Sequence, residues 1–253
     1  MKAFSDAFLL RNQVALRDYG RRWVEDPLGQ WSRQWEYPFV FDRIRQLGSD
    51  QSLRILDAGS GATFFPYFLS IQNPAIRVSC CDYDDSLSSI YDQLNRNEEC
   101  AADFSIADLR TLPFEDHSFD VVYCISVLEH TNAYDAIVGE FYRVLRPGGK
   151  LVITFDISID GKHDIPAVQA VDLLRSLVEF DGAVPNQHCP PILKELEQQE
   201  LVATTSFIES APHLLPWKKP GPLDHVKSYL KSGHSKTWPN LTFYCLDIDK
   251  AEQ

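Results

Sequence analysis

The 253-residue sequence predicts an α/β fold, a doubly wound parallel sheet covered by helices on both faces, and two observations carry that prediction. From Leu53 onward, short apolar runs alternate with segments of helical periodicity, the pattern of strands buried on both sides. The first run, Ile55-Leu56-Asp57, passes into Ala58-Gly59-Ser60-Gly61, where glycine permits positive φ and leaves no Cβ between the turn and a ligand. Gly-x-Gly alone also fits a tight turn with no ligand, and a dinucleotide loop would need a third glycine at Phe64.

The elements follow in order. Residues 3–19 space Phe4, Phe8, Val14 and Leu16 as an amphipathic helix. Residues 19–39 then place three of the five tryptophans within thirteen positions, broken by Pro27, Gly29 and Pro38. That density suits a lid over a flat ligand, and equally suits aromatic packing of the N-terminal helix onto the domain. Val40 to Leu47 reads as a helix leading into the first strand, Leu53 to Asp57. A helix from Phe64 to Ser70, a strand from Arg77 to Asp82, a helix from 85 to 95 and a short strand from Phe104 to Asp108 come next. Phe119 to Ile125 is the longest apolar strand, and the helix over 134–146 is stopped by Pro147-Gly148-Gly149. Lys150 to Phe155 is the fifth strand. Beyond it Ala167 to Phe180 and Ile192 to Gln199 read as helices, and Val202 to Ile208 as a strand. Residues 209–240 have little periodicity, and 241–248 close the chain as a clear strand. The expected organisation is an N-terminal lid over 1–50 and a ligand-binding domain over 51–253, with an acceptor-shaping insertion at about 156–240.

Composition narrows the function. Lys and Arg total 24 against 36 Asp and Glu, so the net charge of −12 disfavours a nucleic-acid partner. No run is long and apolar enough for a membrane span or a signal peptide. The six cysteines show no C-x-x-C spacing, which points to reduced thiols in a cytoplasmic protein.

Two more acidic residues stand in step with the glycine turn. Asp82 ends the second strand 21 residues after Gly61, where a carboxylate accepts from ribose hydroxyls. Asp108 ends the third and is followed by Leu109, so it is placed to accept from an adenine amine. Each alone also fits a cap or turn former.

With these residues the chain resembles the class I S-adenosylmethionine-dependent methyltransferases with small-molecule substrates. The resemblance is carried by ILDAGSG at 55–61, CDYD at 81–84, ADLRTLPFEDHSFDVVYCISVLEH at 107–130 and RVLRPGGKLVITF at 143–155. It implies a Rossmann-like sheet of seven strands with the last antiparallel, and S-adenosyl-L-methionine as cofactor. It also implies that Gly59 and Gly61 pass beneath the methionine part, Asp82 binds the ribose, Asp108 and Leu109 hold the adenine, and Ile125 offers a carbonyl to the amino group, with Asp57, Ser60 and Tyr83 as further cofactor contacts. The sequence departs from the family at Thr63, where many members carry another glycine, and at Phe64-Phe65-Pro66.

In-line methyl transfer asks the protein to align an acceptor and exclude water. The expected acceptor is a small or medium-sized molecule methylated at oxygen, with His130 as the candidate general base. A structural Glu129-His130 pair is the competing reading. Arg33 is a candidate partner for the cofactor carboxylate, and Trp31, Tyr37, Asp156, His163 and Trp217 are candidate acceptor contacts. Around Gly161, Asp156, Asp160, His163 and Asp164 fit acceptor binding, metal ligation or plain turn formation, and no metal is assigned. Two other functions share these features: a nicotinamide-dependent oxidoreductase, and a non-catalytic scaffold that keeps the fold.

Overall fold

A computed structural model describes residues 1–22, 26–29, 32–48, 51–161, 165–186, 189, 194–195, 223, 227, 229 and 240–252. Among them lie helices α1 (Lys2–Arg11), α2 (Arg17–Arg22), α3 (Arg33–Arg45), α4 (Phe65–Gln72), α5 (Leu87–Asn97), α6 (Tyr134–Val144) and α7 (Ala167–Val178). The strands are β1 (Arg54–Ala58), β2 (Arg77–Asp82), β3 (Asp103–Ile106), β4 (Phe119–Ile125), β5 (Leu145–Ser158), β6 (Ile165–Pro166), β7 (Ala183–Pro185) and β8 (Leu241–Lys250). They form one sheet in the order β3-β2-β1-β4-β5-β8-β7, with β6 pairing with β5 outside that path. Strands β1 to β5 are mutually parallel, and β8 runs antiparallel to both β5 and β7. The eighth strand is two-residue β6, set beside Ile157 and Ser158.

Alternation along the strands builds a core on each face. Leu56, Val122, Cys124, Leu151 and Ile153 face Phe141 of α6 and Leu173, Leu174 and Leu177 of α7. Ile55, Val78, Cys80, Val121 and Val152 face the other way, onto Phe65 and Phe68 of α4 and Leu87, Tyr91 and Leu94 of α5. Phe8 of α1 and Tyr37, Val40 and Ile44 of α3 belong to that second core. The expected lid segment therefore contributes to the interior of the domain.

Several boundaries differ from the sequence reading. The single helix expected over 3–19 is two, because Asn12 turns its side chain to α5. Its amide donates to the Phe8 carbonyl at 3.0 Å and to Glu98 at 2.6 Å, and its oxygen accepts from Asn97 at 2.9 Å. Helix α3 begins at Arg33 and runs through Pro38, expected to be a breaker. Tertiary contacts override the lost N–H: Tyr37 packs on Phe64 and Phe65 with ring centroids 5.2 and 4.9 Å away, and Trp35 stacks on Phe243 at 5.5 Å. These contacts also account for the unusual Phe64-Phe65, which are core residues, while Thr63 Oγ1 accepts the Phe65 N–H at the start of α4. Helix α6 stops at Val144, before the predicted 146, because Leu145 is extended and already pairs with Phe119 as the start of β5. Strand β3 ends at Ile106, so Asp108 lies two residues beyond it, in a bridge with Thr111. The strand expected at 202–208 and nearly all of the helix expected at 192–199 lie outside the described residues. No helix among the described residues is long and apolar enough to cross a membrane.

Candidate active site

A cavity of about 720 Å³ opens at the carboxyl ends of β1, β2 and β4, within the range of about 300–1,000 Å³ usual for small-molecule sites. It lies where the strand order reverses between β1 and its two neighbours. The structure brings ten of the sequence-selected residues to its walls: Arg33, Asp57, Gly59, Ser60, Gly61, Asp82, Tyr83, Asp108, Leu109 and Ile125. Tyr37 and His130 line it as well. Asp156 is not among the described lining residues. Its N–H donates to Glu129 at 3.3 Å and its carboxylate accepts from the Ser32 hydroxyl at 3.3 Å, placing it behind the site where α3 meets β5. Trp31, His163 and Trp217 lie outside the described residues.

The glycine turn is held from three sides. The N–H groups of Gly59 and Ser60 donate to the Cys81 carbonyl at 2.8 and 3.0 Å, which ties the turn to the end of β2. Tyr91, buried on α5, donates its hydroxyl to the Gly61 carbonyl at 2.9 Å. Gly59 has φ 76°, and a Cβ there would meet the Val127 side chain at 2.7 Å. Gly61 has φ 54° and lies under the Tyr19 hydroxyl of α2.

The three carboxylates differ in their surroundings. Asp57 is 5 % exposed and accepts from the Tyr123 hydroxyl at 2.8 Å. Burial pushes its carboxyl up to about 8, against the pull of that hydrogen bond. Asp82 accepts the Gly61 N–H at 3.0 Å on one oxygen and the Asp84 N–H at 3.1 Å on the other, which fixes its carboxylate at the cavity wall with acceptor capacity to spare. Asp108 is exposed and ion-paired with Arg110, whose side-chain and backbone N–H groups hold its carboxyl down to about 2.

His130 closes a short 3₁₀ turn, Leu128–His130, directly after β4, and its ring is exposed at the cavity. Glu129 beside it points inward, and burial pushes its carboxyl well up, reinforced by the Asp156 carboxylate. Arg33 pairs with fully buried Glu36 at 2.6 Å. Sequence reasoning missed Tyr91, Tyr123, Ser126, Glu36 and Arg110. A tyrosine within an apolar strand needs a partner for its hydroxyl, so Tyr123 was open to detection. The long-range contacts of Glu36 and Tyr91 left no local signal.

Comparison with known proteins agrees with this geometry. Residues 56–153 match a family model described as a methyltransferase domain. Over this stretch, and in its fold, the chain resembles the class I S-adenosylmethionine-dependent methyltransferases. It is 30 % identical over 158 residues to the sterol 4-C-methyltransferase strm-1 of Caenorhabditis elegans, covering 55 % of this chain and 47 % of that one. It is 30 % identical over 149 residues to the malonyl-[acyl-carrier protein] O-methyltransferase of Yersinia pestis, covering 58 % and 52 %. The matches thus span about half the length of these relatives. A structure of Haemonchus contortus phosphoethanolamine N-methyltransferase 2 in complex with S-adenosyl-L-methionine superposes with a TM-score of 0.52 at 16 % identity, covering 95 % of this chain and 60 % of that one. That likeness is one of fold. The residues present fit the cofactor of the class: a glycine turn at positive φ, a fixed carboxylate at Asp82 and a second at Asp108 share one cavity.

Proposed function

We propose that this chain transfers a methyl group from S-adenosylmethionine to a small or medium-sized acceptor, at an oxygen atom. The observation that supports the reading is the convergence of twelve of the residues selected from the sequence on one cavity. S-adenosylmethionine supplies an electrophilic methyl on a sulfonium. The chain's own residues do the rest. Asp82 accepts the ribose hydroxyls, Asp108 and Leu109 hold the adenine, the Ile125 carbonyl takes the amino group, and Arg33 pairs with the carboxylate. His130 removes the proton that a hydroxyl acceptor releases. Tyr37 contributes to the acceptor side, whereas Asp156 serves the docking of α3.

The named relatives methylate carbon, oxygen and nitrogen, so the acceptor atom rests on His130 and on direct assay. Calorimetry with S-adenosylmethionine, S-adenosylhomocysteine and a nicotinamide dinucleotide is the first test. Binding of the first two alone is expected, and tight dinucleotide binding would reverse the reading. With an acceptor in hand, His130→Gln should change the shape of the pH–rate profile. A profile identical to wild type removes His130 as the base.

A further inference from the structure

The turn after β4 holds a residue in a conformation that its own side chain opposes. Ser126 has φ 46°, the left-handed region that residues with a Cβ enter at a cost, and it is buried against the cavity. Its N–H donates to the Thr154 carbonyl at 2.9 Å, and its hydroxyl donates to Glu36 at 2.7 Å, ninety positions away in the chain. Glycine would take this backbone without strain, so what serine adds here is the bond to Glu36. Glu36 is fully buried on α3, and its other oxygen receives the Arg33 guanidinium at 2.6 Å. One buried carboxylate therefore fixes both a strained main-chain turn and a cation, and both the turn and the cation face the cavity. The next residue, Val127, rests on Gly59, so a shift of the turn passes directly to the glycine loop.

We infer that Glu36 and Ser126 are positioning residues for the amino-acid end of an adenosyl ligand, acting through the backbone of 125–127 and through Arg33. The nucleoside end is held separately, by Asp82 and Asp108. This rests on the methyltransferase reading above, and two ligands separate the claims. S-adenosylhomocysteine carries the amino-acid end, and 5′-methylthioadenosine has the same nucleoside and sulfur without it. In Ser126→Gly, affinity for S-adenosylhomocysteine should fall about tenfold, as expected for one lost hydrogen bond to a charged group. Affinity for methylthioadenosine should hold, and the protein should stay folded, since relief of the backbone strain offsets part of the lost bond. Glu36→Gln keeps an acceptor for Ser126 while releasing Arg33, and should shift the ratio of the two affinities in the same direction. An unchanged ratio in a folded Ser126→Gly protein overturns the positioning role, whether both affinities stay or both fall alike. Wild-type protein that binds neither compound overturns the methyltransferase reading itself.

Discussion

Asp57 and Asp108 mark the two ends of one cavity, and the same residue type does opposite things there. At the floor Asp57 is sealed under the Tyr123 hydroxyl, and its proton is held up to about 8. At the rim Asp108 is open to water, clasped by Arg110 and held down to about 2. The floor is buried, built from β1, β4 and the N-terminal helices; the rim is a short loop that supplies its own counter-charge. An aspartate near a strand end thus says where a ligand lies, while the surrounding packing decides what charge the ligand meets.

The largest break in that contrast should come from the floor. Gly59→Ala combines φ 76° with a Cβ at 2.7 Å from Val127, and strain plus overpacking should cost about 2–4 kcal/mol of stability, read by denaturant unfolding. Asp82→Ala, on the same cavity wall, should weaken S-adenosylhomocysteine by about 1–3 kcal/mol in calorimetry, the loss expected if it is the acceptor for the ribose hydroxyls. Unchanged affinity would remove Asp82 from the ribose site.

Asp57 should leave a mark on the pH dependence of folding. Its folded value lies above its ordinary 3.8, so the native state binds the proton that the unfolded chain gives up. The contribution is complete below the unfolded value and is lost as pH rises toward about 8. The slope should reach about 1.4 kcal/mol per pH unit for this one proton. Asp57→Asn should flatten that slope, leaving the share that Glu129 contributes in the same direction. A slope equal to wild type would place Asp57 in better-solvated surroundings. The smallest effect belongs to the rim: Arg110→Ala should leave the thermal midpoint unmoved while the Asp108 carboxyl returns toward its ordinary value in an NMR titration.

The contrast also explains what the sequence could tell. Strands β1, β2 and β4 and the carboxylates at 57, 82 and 108 were legible, because burial on both faces writes continuous apolar runs and glycine turns break them. Helix α3 was misjudged, since Pro38 is a local signal while Glu36, Tyr37 and Trp35 answer to partners as distant as Phe243. The break at Asn12 was hidden for the same reason, its partners being Asn97 and Glu98. Local chemistry announced the cavity wall, and only long-range contacts revealed what stands behind it.

Phe4, Phe8, Tyr37 and Phe41 pack against Phe64, Phe65, Tyr67 and Phe68, in the segment that follows the glycine loop. The stretch that matches the family model, 56–153, is therefore smaller than the unit that folds. Trimmed to it for expression, the polypeptide would present a bare oily floor to solvent and should precipitate. Anyone dissecting this molecule should cut nothing before the first strand.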